Sequence, residues 1–178
     1  LPIYTHYYLM SVRGGYIYHK TGEDAVKIVN SIDSDNIDAY LWAFTGNIAD
    51  GITIYNKADG AGVTLFAESS ANKTQIKFGS KEDISAVEGA ITLFNIAYNG
   101  DGFAFSAQND PTACFNRLGG ATAENLCFWT HANSPKDAGS RITFRELTAD
   151  DINNYAFANC QVLLNTENCV GGYTTAQL

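Results

Sequence analysis

Alternation of apolar and polar residues with a period of two recurs along the chain, most clearly in residues 51–66. That segment reads GITIYNKADGAGVTLF, and residues 102–117, GFAFSAQNDPTACFNR, match it without a gap. Each copy contains an alternating stretch, a turn pair (Asp59-Gly60 or Asp110-Pro111) and a second apolar stretch. Alternation predicts half-buried strands, and Asp with Gly or Pro predicts a tight turn between them. We therefore expect two similar β-hairpins.

A shorter hairpin of the same kind is predicted at residues 8–18, so the pattern occurs three times. An apolar-aromatic pair recurs with it, as Leu41-Trp42, Leu93-Phe94 and Phe128-Trp129. One repeat of this size cannot bury its own apolar face, whereas three units closed into a barrel leave few exposed sheet edges. The sequence predicts an all-β fold of three four-stranded repeats around a pseudo-threefold barrel.

The predicted units end at the three aromatic residues Trp42, Phe94 and Trp129. A closing strand at residues 141–147 should then pair with the first strand near Tyr8. The polar insertion at residues 81–89 is expected to form one helical turn. Residues 148–178 have no place in the repeat, and Thr148 followed by acidic residues predicts a helix start. We expect a domain at residues 1–147 and a short helical C-terminal extension at 148–178, which links to a further module.

These repeats resemble the β-trefoil of the ricin-type lectin superfamily, over roughly residues 4–147. That family carries a Gln-x-Trp signature near the end of each unit. The equivalent places hold Tyr40-Leu41-Trp42, Thr92-Leu93-Phe94 and Cys127-Phe128-Trp129, with the aromatic kept and the glutamine absent. Because the three aromatics recur with the repeat, we expect them to plug the core.

The resemblance also implies a site for sugars. In ricin-type units a polar group follows the second strand and an aromatic lies on the third. A pyranose needs such an aromatic face and a few planar polar groups. In unit three we predict as ligand residues Asn116, Arg117, Asn125, Trp129 and His131. In unit one the same regions hold Tyr18, His19 and Tyr40. The alternative for Asn116 and Arg117 is that they are ordinary loop residues.

Four cysteines are compatible with two disulfides and an oxidising compartment. Ricin-type units often carry a disulfide between their second and third strands, which implies a bond between Cys114 and Cys127. In the tail we expect Cys160 to pair with Cys169. The alternative for Cys114 and Cys127 is that they are small buried hydrophobic residues that never bond.

Composition limits the partners. The chain has 178 residues, of which 46% are hydrophobic, enough for one core. Its net charge is -8 and its 11 basic residues are scattered, so neither nucleic acid nor an anionic membrane is expected as a partner. No apolar run approaches the roughly 20 residues of a membrane span. The chain has no signal peptide and starts at Leu1, which predicts a processed protein or a piece of a longer one.

Motifs for catalysis and cofactors are absent from the sequence. The histidines His6, His19 and His131 lie far apart, and none belongs to a known hydrolase motif. The run of Asp33, Asp35 and Asp38 could chelate calcium, but it lacks the glycine and distal glutamate of an EF-hand, so a solvated turn is expected. We expect no metal, no cofactor and no catalysis by this chain alone.

The sequence therefore predicts a non-catalytic carbohydrate-binding module of a larger secreted or cell-surface protein, located outside the cell or in the periplasm. A glycoside hydrolase or another extracellular enzyme is a suitable neighbouring module. The alternative, favoured by the missing glutamines, is a structural spacer or protein-interaction trefoil that has lost sugar binding. A trefoil protease inhibitor would need a protruding loop, for which residues 81–89 are the only candidate.

Overall fold

The computed structural model describes residues 7–47 and 49–147. The predicted helical extension at 148–178 and the expected bond between Cys160 and Cys169 lie outside the described residues. Within these ranges the chain forms twelve strands and one short α-helix, α1 (Lys81–Ser85). The strands are β1 (Tyr7–Val12), β2 (Gly15–His19), β3 (Val26–Val29), β4 (Leu41–Asn47), β5 (Gly51–Asn56), β6 (Val63–Phe66), β7 (Lys77–Ser80), β8 (Phe94–Asn99), β9 (Gly102–Ala107), β10 (Asp110–Asn116), β11 (Cys127–Thr130) and β12 (Ile142–Leu147).

Six of the strands close into a barrel. Going round it, β1 pairs with β4, β4 with β5, β5 with β8, β8 with β9, β9 with β12, and β12 with β1, always antiparallel. The predicted closing strand is confirmed, since β12 runs along β1 with Phe144 opposite Met10. Closure leaves no free edge among these six strands.

The other six strands form three hairpins that cap one end of the barrel: β2 with β3, β6 with β7, and β10 with β11. A ring of backbone hydrogen bonds joins them. The amide of Val26 donates to the carbonyl of Ile76 (2.8 Å), Ile76 to Leu126 (3.0 Å), and Leu126 to Val26 (3.2 Å). These residues are evenly spaced along the chain, so the ring has pseudo-threefold symmetry. The fold is a β-trefoil, and that prediction is confirmed.

The core lies between the barrel and the cap and is rich in aromatic rings. Phe44, Phe94, Phe105 and Phe115 are essentially inaccessible, and Phe105 stacks on Phe115 with ring centroids 5.7 Å apart. Trp42 is also buried, and its indole Nε1 donates to the carbonyl of Ile17 at 2.9 Å. The single polar atom of that large side chain is therefore satisfied in the core.

The expected core role of Trp129 is wrong, because unit three ends one strand later than predicted. In the first two units the last residue of the Gln-x-Trp signature lies at the start of a barrel strand, which begins at Leu41 or at Phe94. In the third unit the equivalent strand begins at Ile142. Ser140-Arg141-Ile142 therefore occupies the third signature, and Ile142 is buried like Trp42. Trp129 lies instead on the cap strand β11 and is only half-buried.

The expected disulfide between Cys114 and Cys127 is also wrong, since both are buried, free thiols. In the β10–β11 hairpin Cys114 lies opposite Trp129, and Cys127 lies opposite Asn116. The two cysteines are thus diagonal neighbours, and such positions are about 7–8 Å apart. A disulfide needs Cα atoms roughly 4.4–6.8 Å apart. Both act as small buried residues, as the alternative interpretation held.

Two further predicted segments are placed by the structure. The helical turn expected in residues 81–89 is confirmed as α1, whose capping box joins Ser80 and Asp83 through both their backbone and side-chain groups. In the acidic run, Asp33 caps a 3₁₀ segment (Ser34–Tyr40), and Asp38 accepts from Lys57 Nζ at 2.7 Å. None of the helices in the described ranges is long and apolar enough to cross a membrane.

Replacing Ile76 by alanine should destabilise the whole domain, because Ile76 is fully buried in the cap. We expect the free energy of unfolding to fall by about 2–5 kcal/mol, measured by urea denaturation. Leu93→Ala is the matched control, since Leu93 is 37% exposed and should cost less than half as much. An equal loss in both variants would contradict the central place of the cap.

The buried thiols should react only after unfolding. Burial raises the pKa of Cys114 to about 11 and also raises the pKa of Cys127, so few thiolates form in the folded protein at pH 8. The stability gained by keeping these protons is present below the unfolded pKa of about 8.5 and is lost as pH rises towards 11.

The measurement is titration with Ellman's reagent of the Cys160→Ser/Cys169→Ser variant, native and in concentrated guanidinium chloride. We expect slow reaction when folded and two rapidly reacting thiols when unfolded. Two thiols that stay unreactive after unfolding without reductant would show that a disulfide forms after all.

Candidate functional site

The antiparallel register identifies equivalent positions in the three cap hairpins. The position on the second strand that pairs with Lys27, Lys77 or Cys127 of the third strand holds Tyr18, Phe66 and Asn116. The position two residues further along the third strand holds Val29, Gly79 and Trp129. Unit three is therefore the one unit with a polar group at the first position and an aromatic at the second.

In unit one these positions are filled by the protein's own side chains. Tyr18 stacks on Tyr40 with centroids 5.0 Å apart and an interplanar angle of 11°. Tyr40 belongs to a small buried apolar cluster, and Val29 and Tyr18 both pack against this cluster. One face of the Tyr18 ring is therefore covered by Tyr40.

Unit two is filled as well. A Cβ atom added to Gly79 would lie 2.9 Å from the Phe66 ring and 3.0 Å from a carbon of Ile84. Ile84 belongs to α1, so the short insertion after β7 covers the place where Trp129 stands in unit three. Glycine is required there because there is no room for a side chain.

Unit three keeps an open cleft of about 490 Å³, which we call the Trp129 cleft. It is lined by Arg13, Asn116, Leu118, Gly119, Gly120, Trp129 and Asp137. Two hydrogen-bond donors and one cation converge on one carboxylate oxygen, Asp137 Oδ2. Asn116 Nδ2 and the amide of Gly139 each donate to it at 2.9 Å, and Arg13 Nη2 lies 3.7 Å away. The other oxygen, Oδ1, has no hydrogen bond to a described residue.

Trp129 and His131 form a stacked pair at the edge of this cleft. Their rings are parallel within 2°, with centroids 5.0 Å apart. His131 is exposed, and its Nδ1 accepts from the amide of Asn133 at 3.0 Å. The histidine ring covers part of the tryptophan and so restricts the orientation of the indole. His131 lies beside the cleft, and it is not among the lining residues.

Arg117, in contrast, is buried and does not line the cleft. Its exposed fraction is 2%. Its guanidinium donates to the carbonyl of Ala123 (2.8 Å), the carbonyl of Arg13 (3.0 Å) and Asn30 Oδ1 (2.9 Å). Burial, with a smaller contribution from the Arg13 cation, lowers the pKa of Arg117. Its role is structural, because it ties unit three to unit one.

The fifth predicted ligand residue, Asn125, lies outside the Trp129 cleft. Its Oδ1 accepts from Lys27 Nζ at 2.7 Å, and it lines a neighbouring cleft together with Glu124. The structure therefore brings Asn116 and Trp129 together, with His131 beside them, and separates Asn125 and Arg117 from the cleft.

Sequence reasoning missed Arg13 and Asp137, which supply the charged groups of the cleft. Arg13 lies in the turn between β1 and β2, far from unit three in the sequence, and only barrel closure brings it there. Asp137 lies in the long β11–β12 connection, which brings its carboxylate to Asn116. The signal that could have found Asp137 is that it lies in unit three. In that unit the position equivalent to Tyr18 and Phe66 holds the amide Asn116.

One Asp-His pair lies elsewhere, where His19 Nδ1 is 2.5 Å from Asp59 Oδ2. Its other nitrogen, Nε2, is 2.9 Å from the carbonyl of Glu23, and the ring stacks on Phe78. Both ring nitrogens are thus engaged, which is unsuitable for a general base that must reach a substrate. In the described part of the chain no group of three His, Cys, Asp or Glu residues could hold a metal ion.

Comparison with solved structures gives several β-trefoil neighbours. One is the GlcNAcα1-4Gal-releasing endo-β-galactosidase from Clostridium perfringens, with TM-score 0.62, 16% identity, and a match over 80% of this chain and 32% of that one. Another is the Rhizoctonia solani agglutinin, with TM-score 0.61, 12% identity, and coverage of 81% and 96%. The designed threefold protein ThreeFoil matches with TM-score 0.59, 12% identity, and coverage of 78% and 96%.

At these identities the likeness shows the fold alone. The chain spans about a third of the length of the endo-β-galactosidase (32%). No family model matches the sequence, and no curated protein sequence matches it significantly.

Replacing Arg117 by lysine should destabilise the domain, because a lysine cannot serve all three acceptors that the buried guanidinium reaches. We expect a loss of about 2–4 kcal/mol in the free energy of unfolding, measured by urea denaturation. Arg141→Lys is the matched control, since the Arg141 side chain is 40% exposed and should cost less than about 1 kcal/mol. Unchanged stability of Arg117→Lys would remove the structural role.

Proposed function

We propose that this domain is a non-catalytic carbohydrate-binding module that holds one sugar ring in the Trp129 cleft. The observation that carries the proposal is the contrast between the three units. Units one and two fill the equivalent position with Tyr40 and with Ile84, whereas unit three keeps it open beside a tryptophan and a carboxylate. A protein that needed only a stable trefoil would gain by filling the third cleft in the same way.

The chemistry of the cleft suits a sugar ring. The half-buried Trp129 offers an apolar ring surface to the C–H face of a pyranose. Asp137 Oδ1 can accept from a hydroxyl group, and Arg13 can donate to another, which is how planar polar groups select vicinal hydroxyl pairs. Asn116 and Gly139 hold the carboxylate through its other oxygen, so the acceptor is fixed before the sugar arrives.

Binding at this site is expected to be weak. The cleft is shallow and has one aromatic platform, so a single ring gains few contacts. A weak site becomes useful when it is linked to a second binding or catalytic module, because the link raises the effective concentration. We therefore place the domain in a larger secreted or cell-surface protein, with the catalytic work done elsewhere in that protein.

The support for this context is the domain length and the surface charge. The matching region makes up a third of the endo-β-galactosidase chain, an example of a trefoil within a larger enzyme. The net charge of -8 and the scattered basic residues favour a neutral partner such as a glycan over nucleic acid or an anionic membrane.

The second candidate function is a spacer or protein-contact domain without sugar binding. The filled positions in units one and two favour it, because two of the three equivalent positions are occupied by the protein's own side chains. The two candidates differ in whether the Trp129 cleft binds any glycan.

A glycan array probed with the whole chain, followed by calorimetric titration of each positive glycan, tests the proposal. Trp129→Ala should weaken binding at least about tenfold, equal to roughly 1.4 kcal/mol, and Trp129→Phe should retain part of it. Tyr98→Ala is the matched control, since Tyr98 is an exposed aromatic on β8 (57% exposed). It should leave the affinity unchanged.

Unfolding curves of each variant establish that the fold is intact. If no glycan binds at millimolar concentration, the spacer function replaces this proposal. If a glycan binds but Trp129→Ala leaves its affinity unchanged, the site is elsewhere.

A further inference from the structure

A second cleft lies next to the first, on the cap of the trefoil. It has a volume of about 330 Å³ and opens between the segment before β7 and the segment before β11. We call it the Gln75 cleft. Its lining includes Lys73, Gln75, Leu118, Ala123, Glu124 and Asn125. None of these residues lies at the Asn116 or Trp129 position of its unit, so this cleft is distinct from the Trp129 cleft.

Three polar side chains in the Gln75 cleft make no hydrogen bond to a described residue. Lys73, Gln75 and Glu124 are all exposed, and no described side chain or backbone group bonds to their polar atoms. They contrast with Asn116 and Arg117, whose donors are used within the protein. An ammonium, an amide and a carboxylate together supply donors and acceptors on both sides of one cleft.

Asn125 adds a further donor to the same cleft. Lys27 Nζ donates to its Oδ1 at 2.7 Å, and this bond fixes the amide plane. The amide nitrogen of Asn125 is then free to donate to a ligand. Planar groups held by the protein are the kind that recognise pairs of sugar hydroxyls.

Leu118 joins the two clefts, since it lines both of them. It is half-buried, and Gly119 and Gly120 follow it with φ angles of 105° and 94°. These left-handed conformations favour glycine, so no side chain rises at Gly119 or Gly120, next to Leu118. A chain of sugars can therefore extend from the tryptophan over Leu118, because Gly119 and Gly120 have no side chain to block it.

We infer that the domain binds an extended glycan of at least two sugar rings, with one ring in the Trp129 cleft and the next in the Gln75 cleft. This inference rests on the proposed function. The Trp129 cleft supplies the aromatic platform. The Gln75 cleft supplies polar groups that form hydrogen bonds with hydroxyl groups of the second ring. The charges of Lys73 and Glu124 balance, so the second ring is a neutral sugar.

The test compares oligomers of increasing length. The probes are linear β-1,4-linked galactose, glucose and N-acetylglucosamine series of one to four rings, together with any array glycan that binds and its terminal monosaccharide. Calorimetric titration of the whole chain should give at least about tenfold tighter binding of the dimer than of the monomer in the series that binds. In the Gln75→Ala/Glu124→Ala variant most of that gain should be lost.

Glu82→Ala is the matched control, because Glu82 is an exposed carboxylate on α1, away from both clefts, and it should keep the full gain. A structural readout accompanies the titration. The side-chain amide signal of Gln75 in a ¹⁵N-¹H correlation spectrum should shift with the dimer and stay in place with the monomer.

The outcomes separate this inference from the proposed function. If monomer and dimer bind equally well, or if the double variant keeps the gain, the Gln75 cleft is not a subsite although the Trp129 cleft still binds. If neither the series nor the array gives any binding, the proposed function has failed, and the extended site fails with it.

Discussion

The ring of three backbone hydrogen bonds between Val26, Ile76 and Leu126 is the constraint from which the rest of the cap follows. Each of the three residues donates its amide to the carbonyl of the next. No hairpin can therefore move or shift its register without breaking two of the bonds. A one-residue slip would also turn buried side chains outward. The ring therefore fixes β11 relative to its two counterparts, and with β11 it fixes the position of Trp129.

A symmetric backbone with unequal side chains explains why, within the described residues, only unit three has a cleft at the positions of Asn116 and Trp129. The three hairpins present equivalent positions, and the choice of side chain there decides between core and surface. Tyr40 closes the first and Ile84 closes the second. In the third, Asn116 keeps its amide on Asp137 and Ser140, and this polar network replaces the apolar packing of the other two. The cleft remains open because its floor is made of hydrogen bonds that leave room above them.

The barrel and its repeats could be predicted from the sequence, because local alternation and turn residues are properties of short segments. The hairpins formed by β5 with β6 and by β9 with β10 follow from that pattern. The turn predicted at Asp110-Pro111 is misplaced, since the turn lies at Gln108-Asn109 and Asp110-Pro111 begins β10. The end of unit three could not be found in the same way. Phe128-Trp129 imitates the pair Leu41-Trp42, while the true equivalent, Arg141-Ile142, has no aromatic residue. Only the pairing of β12 with β1 and β9 identifies it.

The cleft residues show the same limit, because Arg13 and Asp137 meet through barrel closure. Arg117 explains how the meeting is kept rigid. Its guanidinium donates to the carbonyl of Arg13 in unit one and to the carbonyl of Ala123 at the end of the loop 118–123. It therefore holds Arg13, in the lining of the Trp129 cleft, at a fixed distance from Ala123, in the lining of the Gln75 cleft. A wall that is already ordered costs little entropy when a ligand binds. Arg117 is thus a buried cation whose donors are bonded to neutral acceptors of the protein. It was predicted as a ligand residue, and in the structure it supports the cleft from inside the protein.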